Sequence, residues 1–156
     1  MLILLDIDGV MVSAKSWSSP MILEDGFSVF KANAKSTLNA LIKVTNAKIV
    51  LTTSHKYRFT IEEWQNIFRV RGIKIDEIDR LPKNEDYLSR KEEIINWYST
   101  SNLEQFVIID DDSTLHELPK FLKERWVRTK PIIGLTKNHL KELLMKINLP
   151  LETIKA

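Results

Sequence analysis

Asp6 and Asp8 close the first apolar run of this 156-residue chain, and Asp110, Asp111 and Asp112 close a later one, Phe106–Ile109. Two aspartates two residues apart on an extended strand point the same way. Carboxylates held side by side repel, and the repulsion is costly unless a shared proton or a cation relieves it. The second acidic cluster adds to the excess, and a hard cation with oxygen ligands, Mg²⁺ above all, is the simplest remedy. Gly9, directly after Asp8, lets the chain turn sharply and bring its backbone close to a ligand. A lone Asp-x-Asp-Gly is common in turns, and three consecutive aspartates can be a solvated turn with a helix cap. Their joint occurrence at separate strand ends is what points to a site.

Two further residue types complete the chemistry. The run Lys48–Leu51 ends in Thr52-Thr53-Ser54, which places hydroxyls at another strand end. Lys91 lies three residues before Ile94 and four before Ile95, on an inward-leaning helix face. It also falls in the first turn after Ser89, where the helix dipole disfavours a cation. Nearby aspartates and a bound phosphate explain a lysine there. The alternative is a snorkelling surface lysine, with Arg90 or Lys83 as the cation of the site. The ensemble is that of phosphoryl transfer. One carboxylate attacks phosphorus, and a second serves the leaving group as acid and then water as base. The Thr52 hydroxyl and a lysine hold the phosphoryl oxygens, and a cation neutralises developing charge. His55 either lines this site or serves as a surface or capping residue.

The elements that must position these groups read as an α/β fold with a mainly parallel sheet. Strands are expected at Leu2–Ile7, Lys48–Leu51, Ile73–Ile78, Phe106–Ile109 and Trp126–Thr129. Phe27, Phe30, Ala34, Leu38, Leu41 and Ile42 recur at helical spacing. Thr60 with Glu63, and Ser89 with Glu92, are capping boxes that open two more helices. Leu140, Leu143, Leu144 and Ile147 mark a last helix after a cap at Thr136. In an open parallel sheet, ligands bind beyond the carboxyl ends of the strands, where the acidic and hydroxyl residues fall.

Composition excludes several other chemistries. With no cysteine there is no disulfide, thiolate metal site or cysteine nucleophile. His55, His116 and His139 lack zinc-site spacing, and the four glycines cannot build a phosphate loop or dinucleotide fingerprint. Hydrophobic residues at 44% and charged residues at 28% are ordinary for a globular domain, and a net charge of +2 merely permits an anionic substrate. The length suits one domain over residues 1–156. The opening Leu2–Leu5 run lacks the length of a signal peptide, so a soluble cytoplasmic protein with no membrane contact is expected.

The ordered set Leu4-Leu5-Asp6-Ile7-Asp8-Gly9-Val10, Val50-Leu51-Thr52, Lys91 and Val107-Ile108-Ile109-Asp110-Asp111 resembles the four motifs of the haloacid dehalogenase (HAD) superfamily. Gly134-Leu135-Thr136, before the final helix, is similar to a familiar HAD ending. The resemblance implies a three-layer Rossmann-like HAD fold and an Mg²⁺-dependent phosphatase. Asp6 would be the nucleophile that forms an aspartyl-phosphate, and Asp8 the general acid/base. Thr52, with Thr53 competing, would bind the phosphoryl group, and Lys91 would neutralise it. Asp6, the Asp8 backbone carbonyl and an acid from Asp110–Asp111 would hold Mg²⁺, with Asp112 as a further contender. The spans Gly9–Phe27 and Ser54–Ser89 leave no room for a sizeable cap domain, as in the small HAD modules of bacterial RNA-repair proteins. Open sites of that kind suit large phosphorylated substrates, including nucleic-acid ends, with Lys56, Arg58 and Trp17 as rim candidates. A receiver-like phosphoacceptor module and an idle HAD scaffold are the competing readings. In a receiver, however, the hydroxyl residue follows the acceptor strand.

Overall fold

A computed structural model describes residues 1–14, 21–102 and 104–151, so Trp17 lies outside the described residues. Five short strands, β1 (Leu2–Leu5), β2 (Lys48–Leu51), β3 (Ile78–Arg80), β4 (Phe106–Asp110) and β5 (Trp126–Arg128), form one sheet in the order β3-β2-β1-β4-β5. Every pairing is parallel. β1 and β4 are buried almost throughout, as strands covered on both faces must be.

Side chains alternate between the two faces of this sheet. Ile3, Leu5, Ile49, Leu51, Val107 and Ile109 face one core, shared with Leu38 and Leu41 of α1 (Ala32–Thr45), Trp64 and Phe68 of α2 (Ile61–Val70), and Leu143 of α5 (Leu140–Lys146). Leu4, Val50 and Ile108 face the other, with Ile94 and Tyr98 of α3 (Arg90–Thr100) and Leu122 of α4 (Lys120–Lys123). The result is the expected three-layer, Rossmann-like α/β arrangement, without a large cap among the described residues. From β1 the chain winds outward through β2 and β3, then returns to place β4 on the other side of β1. The crevice at this reversal, between the carboxyl ends of β1 and β4, is the binding position of such sheets.

Both capping boxes form as the sequence predicts, with Thr60 and Ser89 accepting from the N3 amides. Two elements differ. The third strand is Ile78–Arg80, not Ile73–Ile78. Ile73 is buried in the core from a loop, and pairing with β2 begins only at Ile49 opposite Ile78. The first helix starts at Ala32, so Phe27 and Phe30 enter the core from the irregular segment before it.

That segment is fastened by Arg71, whose buried guanidinium donates to Asp25 (2.6 and 3.0 Å) and to the carbonyls of Phe27, Ser28 and Ile67 (2.8 Å each). Arg71→Met would orphan these acceptors, and an expected loss of about 2–4 kcal/mol can be read from urea denaturation. The hydrogen bond from Arg71 holds the Asp25 carboxyl below its ordinary range. Its contribution is therefore complete above a pH of about 4, the unfolded aspartate value, and fades as pH falls through the lower folded value. Arg71→Met should remove that part of the acid sensitivity. Among the described residues, no helix is long and apolar enough to cross a membrane.

Candidate active site

The register of the three middle strands builds the site. Leu5 of β1 lies opposite Leu51 of β2 and Ile109 of β4. One residue further on, Asp6, Thr52 and Asp110 make a row across the carboxyl ends of these strands. Leu4, Val50 and Ile108, two residues earlier, face α3, so the row faces the start of that helix. All three of its side chains are buried. The Thr52 hydroxyl lies 3.4 Å from Asp110 Oδ2.

Thr53 points elsewhere. Its hydroxyl accepts from the His55 amide (3.2 Å) and shapes the turn after β2, which leaves Thr52 as the hydroxyl of the row. Asp112 is a cap, with Oδ1 accepting from the amide and the hydroxyl of Thr114 (2.8 and 2.7 Å). Asp111 turns back over Gly9. A Cβ added to Gly9 would stand 2.1 Å from Asp111 Oδ2, and Gly9 has φ +82°, so both space and backbone require glycine there. Asp6, Asp110 and Asp111 thereby bring carboxylate oxygens within 4.8 Å of one another. The Asp8 side chain stays outside this triad. It is half-exposed, and Oδ2 lies 2.7 Å from His55 Nε2.

The turn that carries Gly9 is tied to the far end of the chain. The Thr129 hydroxyl donates to the Gly9 carbonyl (2.7 Å) and the Leu135 amide to the Val10 carbonyl (2.8 Å). Gly134 lets these segments approach, since a Cβ there would stand 2.5 Å from the Val10 carbonyl oxygen.

The cation of the row is Arg90, not Lys91. Arg90 Nη1 lies 2.5 Å from Asp110 Oδ2, 3.3 Å from the Thr52 hydroxyl and 3.5 Å from Asp6 Oδ1. Lys91 instead pairs with Glu117 (3.3 Å) near the surface. The reason is helical phase. The buried residues of α3 are Ile94 and Tyr98, and stepping back four residues from Ile94 reaches Arg90. Lys56 also departs from its expected place at the rim. It is buried and ion-paired with Glu93 (2.9 Å), which in turn lies 3.7 Å from Arg90 Nε. Arg58 is exposed, with its guanidinium over Phe27 and Phe59.

The family model for the HAD domain in Swiss Army Knife RNA repair proteins matches residues 2–140. The chain belongs to this HAD family. A search of curated proteins finds no match. In this HAD domain, burial drives the Asp6 carboxyl well above its ordinary range. Asp110 and Asp111 add to that rise, against the pull of Arg90. Burial also raises Asp110, although Arg90 and the Asp112 amide resist it. Burial works against the charge on Arg90, but Asp110 and Asp6 outweigh it and keep the guanidinium charged.

HAD domains generally use Mg²⁺, and the donor set suits a hard divalent ion: three aspartates offering oxygen ligands only. The charge balance agrees. With all groups ionised, Asp6, Asp110, Asp111 and Glu93 face Arg90 and Lys56, which leaves two negative charges for a divalent cation to offset. The residues fit the ion.

Proposed function

We propose that this chain is an Mg²⁺-dependent phosphomonoesterase that works through an aspartyl-phosphate on Asp6, with phosphate-ended RNA as its substrate class. The observation that carries the reading is the single row of Asp6, Thr52 and Asp110 at the switch point of the sheet, with Arg90 closing it from α3. Asp6, Asp110 and Asp111 would hold the ion, which when bound offsets charge on the carboxylates and the phosphoryl oxygens. The Asp8 backbone carbonyl is a further candidate donor.

In the first half-reaction an Asp6 oxygen attacks phosphorus and the bond to the leaving oxygen breaks. Asp8 gives that oxygen its proton, releasing an alcohol. Water then attacks the aspartyl-phosphate and gives its proton to Asp8, and the phosphorus–oxygen bond to Asp6 breaks to release phosphate. The Thr52 hydroxyl donates to a phosphoryl oxygen. The Arg90 guanidinium, a planar fork suited to phosphate, neutralises the group. Half-exposure of Asp8 suits a group that must reach both the leaving oxygen and water.

RNA as the substrate class rests on the family description and on the open rim. Beside the turn after β2, exposed Tyr57 lies against the Arg80 guanidinium, 4.0 Å from the ring centroid to the central carbon. An exposed ring of this kind offers a base a stacking face. The receiver-like reading is disfavoured by strand order, because receivers follow 2-1-3-4-5 whereas this sheet follows 3-2-1-4-5.

The test is phosphate release by purified protein from phosphate-ended oligonucleotides, mononucleotides, sugar phosphates and phosphopeptides, with Mg²⁺ or with chelator. Release with Mg²⁺ and its loss on chelation are expected, as is a higher kcat/KM for an oligonucleotide than for its mononucleotide. Full activity after exhaustive chelation defeats the metal role. A sugar phosphate or mononucleotide processed better than every oligonucleotide defeats the substrate class.

A further inference from the structure

His55 is the residue of this site that the mechanism above leaves unused. Its ring nitrogen Nε2 lies 2.7 Å from Asp8 Oδ2 across 47 residues of sequence. Among the described residues this is the one hydrogen bond that fixes the Asp8 carboxyl, which is otherwise half-exposed and free to rotate. A carboxyl that serves as acid and then as base has to present the same oxygen to two different partners. An unheld aspartate at the surface spends much of its time in other rotamers, and misplacement of a reacting group is costly in rate.

His55 is itself held at two points. Its amide donates to the Thr53 hydroxyl (3.2 Å), and its ring stands edge-on to Phe27, with centroids 6.4 Å apart. Phe27 packs in turn against Trp64 and Phe30 of the buried core. A chain of contacts thus runs from the core to the Asp8 carboxyl. It accounts for Thr53, a buried hydroxyl beside the phosphate-binding candidate that does not face the catalytic row.

We propose that His55 is a positioning residue for Asp8. Its Nε2–H holds Oδ2, so that Oδ1 is the oxygen that gives the proton to the leaving group and later takes one from water. This inference rests on the phosphatase reading and deepens it.

The role separates substrates by leaving group. An alkyl phosphate, such as a phosphate-ended oligonucleotide, needs its leaving oxygen protonated, whereas p-nitrophenyl phosphate releases a stable phenolate without that help. His55→Leu is expected to lower kcat/KM on the oligonucleotide, which reads the steps through departure of the leaving group, by about 30- to 100-fold, part of the 10²–10⁴ that a general acid contributes. On p-nitrophenyl phosphate the fall in kcat/KM should stay below about threefold, whereas kcat on either substrate also carries the water step that Asp8 serves as base. His55→Gln, which keeps an N–H donor at similar reach, should restore most of the loss. The half-exposed position suits both replacements, and thermal melting shows whether each variant is folded.

Equal losses of kcat/KM on both substrates, or no loss on either, would overturn the positioning role while leaving the phosphatase reading in place. A wild-type protein that hydrolyses neither substrate with Mg²⁺ would overturn the phosphatase reading, and the positioning role with it.

Discussion

Asp6→Asn is expected to abolish turnover, by on the order of 10³-fold or more, while the metal-free protein melts no lower than wild type. The first half follows because an amide cannot attack phosphorus. The second follows from the surroundings of Asp6: burial and the neighbouring Asp110 raise its pKa well above the ordinary range despite Arg90. A carboxyl whose folded pKa is raised contributes stability below the unfolded value, and that stability is lost as pH rises through the folded value. At neutral pH without metal, the wild-type fold therefore bears a cost that asparagine relieves. Phosphate-release assays and thermal melts in chelator check the two halves independently. A sharp fall in melting temperature would mean that the Asp6 charge is satisfied in the metal-free fold. Wild-type turnover by Asp6→Asn would remove it as nucleophile.

Arg90→Met and Lys91→Met, neighbours on one helix, should behave very differently. Arg90 touches two carboxylates and the Thr52 hydroxyl, where the transferring phosphoryl group would lie. Its loss removes a fixed positive charge from a buried site, an effect on the order of 10²–10³ in kcat. It also leaves Asp6 and Asp110 without their counter-charge, so metal-free Arg90→Met should be less stable as well. Lys91 pairs with a largely exposed Glu117, and such pairs contribute about 0–1 kcal/mol, so turnover should stay within about twofold of wild type. Comparable losses in the two variants would contradict the placement of the helix face.

The sequence carried the fold and the carboxylate row because both follow from short-range rules. Apolar runs ending in aspartate or threonine and two capping boxes need no partner to be recognised. Two placements follow from periodicity, the second of them against the expectation for Lys91. Thr52 shares the face of Val50, so strand alternation places it, not Thr53, on the α3 side. Arg90 stands one turn before Ile94 on the buried stripe of α3. Asp112 was legible as a cap through Thr114, two residues on.

Other features depend on partners distant in sequence. Lys56 looks like a solvated cation until Glu93, 37 residues later, folds over it. His55 finds Asp8 only because β1 and β2 are neighbours. The run Ile73–Ile78 has a strand's composition, but the register of β2 lets pairing begin only at its last residue.

The ties from Thr129 and Leu135 back to the turn after β1 bear on the order in which the molecule comes into being. Asp6 and Asp8 directly precede this turn, yet the turn is secured by hydrogen bonds spanning 120 residues or more. Contacts of such separation form late, because closing a long loop costs entropy before any contact repays it. During synthesis, Asp6 and Asp8 therefore emerge well before the segment that fixes Gly9 and Val10. A nascent chain stopped after β4 would own all four aspartates of the site but would lack the brace on the turn between them. A fully braced turn beside Asp8 thus requires the chain at least as far as Leu135.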